Sequence, residues 1–334
     1  MIEFITNYGL FLAKTVTLVV SVLFVFIVIL SSLMKGKSEQ KDQIEIKYIN
    51  EKYKSYADLL ELKILSKSEI KEKKKRQKQT KKEKKKQLNL KKRIFVLDFD
   101  GDIRASAVES LREEISAVLT IATVEDEILV CLDSGGGMVH MYGLASSQLQ
   151  RIKDKGIPLT IAIDKIAASG GYLMACVADR IIAAPFAIIG SIGVIAQIPN
   201  FNRFLKKHDI DYEQITAGKH KRTLTMFGEN TDSEREKLKE ELEETHELFK
   251  GFVLQSRKEL DIDKLSTGEH WYGSQAIELK LVDELLTSDD YLMSKRDAFD
   301  LYQVTYVIKK SLTERLPFMA LSRLKNFYLP FFSR

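Results

Sequence analysis

Two glycine-rich turns hold residues whose types could do chemistry. The first reads Asp133-Ser134-Gly135-Gly136-Gly137 and the second Ala168-Ser169-Gly170-Gly171-Tyr172. Glycine leaves a backbone N–H open to a ligand, with no Cβ in the way. A helix that starts just after such a turn adds partial positive charge. The combination suits an oxyanion or a phosphate. No Gly-Lys-Ser/Thr follows either turn, which sets a nucleotide-binding P-loop aside. Each turn also has a plainer reading, the first as a tight strand-to-helix connection and the second as one whose serine caps the helix. For Ser169 to act as a nucleophile, something must take its proton. Of the histidines His140, His208, His220, His246 and His270, none falls between 141 and 207. Asp179 is the single acid between Lys165 and His208. A Ser–His–Asp triad is therefore poorly supported. The remaining base is a lysine, and Lys219, His220, Lys221 and Arg222 crowd cations together. Crowding by like charge lowers a lysine pKa; a solvated basic loop would read the same way.

The elements that must position these turns alternate strand and helix. IFVLDFDG (94–101), EILVCLD (127–133) and IPLTIAID (157–164) are apolar runs closed by turn signals. Helical period marks 106–122 and the stretch from about Val139 to Lys153. IAASGGYLMACVADRIIAAP (166–185) reads as a helix and another strand. Polar helices cover 229–260, and a short closing segment spans 268–285. Continuous apolar strands separated by helices predict an α/β fold with a mainly parallel sheet. Ligand sites in such folds lie at the carboxyl ends of the strands. The two glycine turns, one strand apart, would share that edge, one offering a nucleophile and the other an oxyanion donor.

The rest of the chain divides sharply by composition. Residues 15–34 contain no charge, and twenty helical residues span about 30 Å, one bilayer core. A cleaved signal peptide would carry a basic start and a small-x-small cleavage site. Here the first ten residues hold Glu3 with no Lys or Arg, and no A-x-A follows the apolar run. The expectation is a membrane anchor over 1–34. Lys35, Lys37, Lys41 and Lys47 follow it, and Lys14 borders its start. The positive-inside rule then puts the body in the cytoplasm. Residues 35–92 read as a basic stalk, mostly helical or disordered. No Gly or Pro falls between Lys37 and Asp100, and 71–93 carry 14 Lys and Arg against 2 Glu. Such a run is a solvated linker or is drawn to anionic lipid. Because the basic charge sits in one segment while the body is mildly acidic, a nucleic-acid-binding fold is not expected. Two cysteines, Cys131 and Cys176, lie in apolar runs, which excludes a disulfide scaffold or an all-cysteine zinc site. The body is expected over 93–290, with a C-terminal extension over 291–334. In that extension Leu312, Leu316, Met319, Leu324 and Phe327 recur at helical spacing beside Arg315, Arg323 and Lys325. It reads as amphipathic, broken at Pro317, and docks on the bilayer, a neighbour or its own core.

Four segments resemble one family. DSGGGMVHMYGLA (133–145), IAASGGYLMACVADRIIAAPFAIIGSIGVI (166–195), AGKHKRTLT (217–225) and WYGSQAIELKLVDEL (271–285) are similar to the SohB branch of the bacterial signal-peptide-peptidase-A family. These are membrane-anchored serine peptidases, and the resemblance spans about 93 to 290. It implies a ClpP/crotonase-like spiral of ββα units assembled as a homo-oligomeric ring or dome. It implies Ser169 as nucleophile, Lys221 as general base of a Ser–Lys dyad, and Ser191 as the residue orienting that lysine. The N–H groups of Gly137 and Gly170 would form the oxyanion hole. The family usually has proline where this chain has Gly135, a change that adds backbone entropy but removes no donor. No metal or organic cofactor is required. Expected partners are the bilayer and an apolar peptide, such as a released signal peptide or a misfolded membrane-proximal segment. Expected localisation is the bacterial inner membrane with a single pass, although some relatives place the catalytic domain in the periplasm. Two other readings stand beside this one. A crotonase-like acyl-CoA enzyme is disfavoured by the lack of a carboxylate near Ser169, and an inactive membrane scaffold is disfavoured by the intact Ser169, Ser191 and Lys221.

Overall fold

Alternating burial along the chain's second strand shows how the central layer is built. In β2 (Arg93–Gly101), Phe95, Leu97 and Phe99 face one side of the sheet and Ile94 and Val96 the other, and all five are buried. A strand apolar on both faces belongs in the middle of a parallel sheet covered on both sides. The computed structural model describes residues 2–35, 43–66, 68–73, 92–218 and 221–307. The described residues fall into two compact units, one holding 2–35 with Gln43 and Val307 and the other drawn from Ile44–Tyr306.

In the first unit, α1 (Ile2–Lys35) is a single helix. Its stretch Thr6–Ile27 has a mean hydropathy of 2.5 and is long and apolar enough to cross a membrane. This stretch begins earlier than the charge-free run of 15–34 and takes in Lys14, whose long stem can carry its ammonium toward an interface. The hydroxyls of Thr15, Thr17 and Ser21 each donate to the carbonyl four residues back at 2.8 Å. Within hydrocarbon, polar groups must be satisfied inside the helix in this way. The amphipathic segment expected at 311–334 lies outside the described residues, as does most of the basic run at 71–86.

The second unit carries a sheet in the order β1-β10-β2-β3-β4-β6-β9. Its further strands are β1 (Gln43–Tyr48), β3 (Glu127–Ser134), β4 (Leu159–Ile163), β6 (Arg180–Ala183), β9 (Glu284–Leu285) and β10 (Asp300–Val307). Branching off this path in the same sheet are β5 (Ile166–Ala168), β7 (Ile188–Gly190) and β8 (His270–Tyr272). β5 pairs with β3 and β7, and β7 pairs antiparallel with β8. Thus β4 runs into β5, then a helix, then β6 into β7. This repeat of two strands and a helix is the ClpP/crotonase-like spiral. The helices are α2 (Ile49–Ile64), α3 (Val108–Leu119), α4 (Val139–Asp154), α5 (Gly170–Ala175), α6 (Asn202–Lys207), α7 (Asp232–Ser256), α8 (Ile262–Leu265), α9 (Gly273–Ala276) and α10 (Ser288–Lys295).

Two segments are drawn into the sheet from outside the expected body of 93–290. β1 falls in the stretch read as stalk, and β10 falls in the stretch read as a C-terminal extension. Between them, the Asn50 amide donates to the carbonyls of Arg296 and Phe299 and accepts from Leu301 N–H. The larger core lies under α3, α4 and α5, and a smaller one, around Ile94, Leu129, Ile182 and Leu301, lies on the opposite face.

Arg93, at the start of β2, is tied to the turn before β3. Asp126 accepts from its Nε at 2.9 Å and its Nη2 at 2.6 Å, and from Thr123 N–H at 2.8 Å. Burial alone would raise the Asp126 pKa, but the Arg93 and Thr123 donors outweigh it and hold the carboxyl at about 2. Because the folded pKa lies below the unfolded one, the stabilisation is complete above about pH 4 and is lost as pH falls toward 2, a loss of about 2 kcal/mol. Asp126→Asn should show a shallower acid-unfolding slope between pH 4 and 2. An unchanged slope, followed by circular dichroism, would mean that this carboxylate contributes nothing to acid stability.

Candidate active site

Register in the parallel ladders decides what meets at the top of the sheet. Gly101 pairs with Ser134, Ser134 with Ala167, and Ala168 with Gly190. The residues that follow these pairs are therefore neighbours at the carboxyl ends of β2, β3, β5 and β7. They are the Asp102 turn, the glycine loop, Ser169 and Ser191.

Ser169 has φ +52 and ψ −119. A non-glycine residue in this region is strained by about 1–3 kcal/mol and persists only when its surroundings impose it. Its N–H donates to Gly190 O at 2.7 Å and its carbonyl accepts from Leu173 N–H at 3.0 Å. These bonds fix the backbone on both sides. Ser169 occupies the N-cap position of α5, yet its side chain makes no capping hydrogen bond. The hydroxyl that a plain N-cap would commit is left for other use.

The glycine loop packs directly on this turn. Gly136 has φ +85, and a Cβ there would lie 2.6 Å from Gly170 N and 2.7 Å from Ala168 O. Met138 N–H donates to Ile103 O at 2.8 Å, and a Cβ at Gly137 would lie 2.1 Å from the same Ile103 O. At Gly170 a Cβ would strike the Tyr142 ring. Among the described residues, neither Gly137 N–H nor Gly170 N–H has a backbone acceptor outside regular structure. Gly136→Ala forces a left-handed alanine against Gly170 N; on the expectation, implied by the resemblance, that this loop holds an oxyanion, hydrolysis should fall by about 100-fold, the scale of losing one oxyanion donor. Wild-type kcat in the Gly136→Ala variant would show that this close packing is irrelevant to the chemistry.

Beside Ser169 opens a cavity of about 180 Å³. The backbones of Gly137, Gly170 and Gly193 and the side chains of Leu173, Leu248, Phe249 and Phe252 line it. The last three project from α7, a helix otherwise rich in Glu and Lys. Sequence reasoning does not single them out, although an apolar interruption in an acidic helix was the available signal.

Lys221 is exposed and lines a different, larger cavity of about 800 Å³ with Ile198, Pro199, Ile215, Leu224 and Met226. Ser191 has φ +53; its N–H donates to Glu269 O at 2.7 Å and its hydroxyl to Gly268 O at 3.3 Å. The single chain thus gathers Gly137, Ser169 and Gly170 at one cavity, with Lys221 at another. His220, the other candidate base of that loop, lies outside the described residues. No group of three or more His, Cys, Asp or Glu able to hold a metal occurs among the described residues.

The glycine loop, the serine turn and the spiral that joins them define a class. The chain belongs to peptidase family S49, whose N-terminal model matches residues 3–149 and whose main model matches residues 151–301. Its relatives include proteins described as probable protease SohB. That of Haemophilus influenzae is 52% identical over 325 residues, covering 94% of this chain and 92% of the relative. That of Buchnera aphidicola subsp. Acyrthosiphon pisum is 51% identical over 309 residues, covering 92% of each. Among solved structures, a membrane-bound stomatin-specific protease in complex with a substrate peptide is 15% identical, with 68% of this chain and 97% of that one covered and a TM-score of 0.41. That structural likeness is too slight to bear on the site. Family membership makes the protein a protease.

Proposed function

We propose that the protein is a serine endopeptidase in which Ser169 is the nucleophile and Lys221 the general base. The observation that carries this reading is the strained, uncapped Ser169 at the mouth of an apolar cavity, facing the glycine loop. Ser169 Oγ attacks the substrate carbonyl carbon while Lys221 Nζ takes the hydroxyl proton. The carbonyl oxygen becomes an oxyanion that accepts from Gly137 N–H and Gly170 N–H, each donor contributing about 3 kcal/mol. The C–N bond then breaks, and the Lys221 ammonium returns its proton to the leaving amine. Water attacks the ester by the same route in reverse, with Lys221 again as base. Ser191 orients the lysine.

That Lys221 lines a separate cavity of its own chain supports a dyad completed between copies of a homo-oligomer, the lysine coming from a neighbour. Phe249, Phe252 and Leu173 in the cavity wall favour an apolar side chain beside the cleaved bond. With α1 as a single-pass anchor in the bacterial inner membrane, the substrates are apolar peptides near the bilayer, such as released signal peptides or misfolded membrane-proximal segments. The lysines after the anchor favour the cytoplasmic side for the catalytic unit. The test is cleavage of a fluorogenic peptide by the full chain in detergent, comparing a large apolar residue with Asp at the cleaved position. The reading expects strong preference for the apolar peptide. Preference for Asp, or hydrolysis abolished by a chelator and untouched by serine reagents, would overturn it.

A further inference from the structure

Beneath the glycine loop lies a pair of buried hydroxyls with no part in the mechanism above. Tyr142, on α4, is wholly buried, and Ser134, at the end of β3, is nearly so. Their oxygens are 2.5 Å apart. The Tyr142 oxygen is 2.7 Å from Asp102 O, and Ser134 Oγ is 3.1 Å from Gly101 O. Gly136 N–H donates to Ser134 Oγ at 3.1 Å. Two hydroxyls own two protons, whereas three short links ask for one. The distances resolve the conflict: Tyr142 donates to Asp102 O and Ser134 donates to Tyr142, so the longer Gly101 contact is the one left without a proton. Ser134 is then free to accept from Gly136. Burial raises the Tyr142 pKa, although the Ser134 bond opposes this, so the phenol keeps its proton. The far end of the chain is fixed too. The Asp102 carboxylate accepts from Arg104 N–H, Ser106 N–H and Ser106 Oγ and locks that turn.

We propose that Tyr142 and Ser134 are positioning residues that couple the Asp102 turn to Gly136 and thereby aim the neighbouring Gly137 N–H at the substrate oxyanion. This inference rests on the reading of Ser169, Gly137 and Gly170 given above. The same tyrosine supports both halves of the hole. Its ring packs on Gly170, so close that a Cβ there would clash, while its hydroxyl reaches the loop that carries Gly137. Geometry of this kind acts on the transition state more than on the bound substrate, because the oxyanion forms only there.

Tyr142→Phe keeps the ring on Gly170 and removes one oxygen. In the full chain, kcat should fall by about tenfold or more, part of what the loss of a whole donor costs, while KM stays within about twofold. Affinity for a peptide aldehyde, which adds reversibly to the serine and places its oxygen in the hole, should fall with kcat. Ser134→Ala should behave alike, and the double variant should lose less than the product of the two, since the residues act as one unit. Independently of catalysis, amide exchange at residues 134–138 should quicken by up to about tenfold in Tyr142→Phe, the factor one net hydrogen bond is worth. A loop that exchanges at the wild-type rate, or a loss confined to KM, would overturn the positioning role. A wild-type chain in which Ser169 reacts with no serine reagent would overturn the Ser169 reading instead, and the exchange rates would still decide whether the hydroxyl pair holds the loop.

Discussion

Ser169→Ala is expected to abolish peptide hydrolysis, by roughly 10⁴-fold or more, on the scale seen when a serine nucleophile is removed elsewhere. The same variant should unfold within a degree or two of the wild type. Its side chain makes no capping bond to α5, so alanine forfeits no hydrogen bond there. Serine and alanine also pay alike for φ +52, because the steric cost comes from the Cβ that both carry. Ser169→Gly separates strain from chemistry. Glycine accepts a positive φ freely, so this variant should be as inactive as the alanine one yet more stable, by about 1 kcal/mol. Activity retained by either variant would remove Ser169 as nucleophile. A large loss of stability in Ser169→Ala would mean that the hydroxyl is a structural member.

The second large effect concerns Lys221. Lys221→Ala should be as inactive as Ser169→Ala, since members of a catalytic unit fail together. A mixture of the two inactive proteins should nonetheless regain activity. If each site takes serine from one copy and lysine from the next, random exchange in a closed ring restores about a quarter of the sites. The motive is the placement of Ser169 and Lys221 on different cavities of one chain. The check is a peptidase assay after detergent-driven subunit exchange, with differently tagged chains co-purified to prove that mixing occurred. Mixed assemblies without activity would place the dyad within one protomer. A Lys221→Ala protein only severalfold slower than wild type would point to another base, such as His220.

The loops that meet at the edge of the sheet are legible in the sequence, for a physical reason. Close approach of backbone to backbone requires glycine, so Gly136, Gly137 and Gly170 mark the loops that meet, and the apolar runs of β2, β3 and β4 mark the parallel sheet that sets them side by side. What escapes is whatever depends on distant pairing. The conformation of Ser169 is held in part by its bond to Gly190 O, made only once β5 lies beside β7. Tyr142 reads as one more core aromatic on a helix, because its hydroxyl finds Asp102 and Ser134 only after β2 and β3 align. β1 and β10 alternate apolar and polar residues too briefly to stand out from a charged stalk and a polar tail. Their place in the sheet is set by each other, across most of the chain's length, as in the bond from Asn50 to Phe299 O.

If Ser169 is an activated nucleophile, a reagent that traps such serines should label it. The full chain in detergent is treated with a fluorophosphonate, digested and mapped by mass spectrometry. The reagent's phosphorus bonds to the serine oxygen as fluoride leaves, so the adduct names the nucleophile. A single adduct is expected on the peptide containing Ser169, formed at least about 100-fold more slowly in Lys221→Ala, on the scale of losing a general base. An adduct on another residue, or undiminished labelling without Lys221, would contradict this reading.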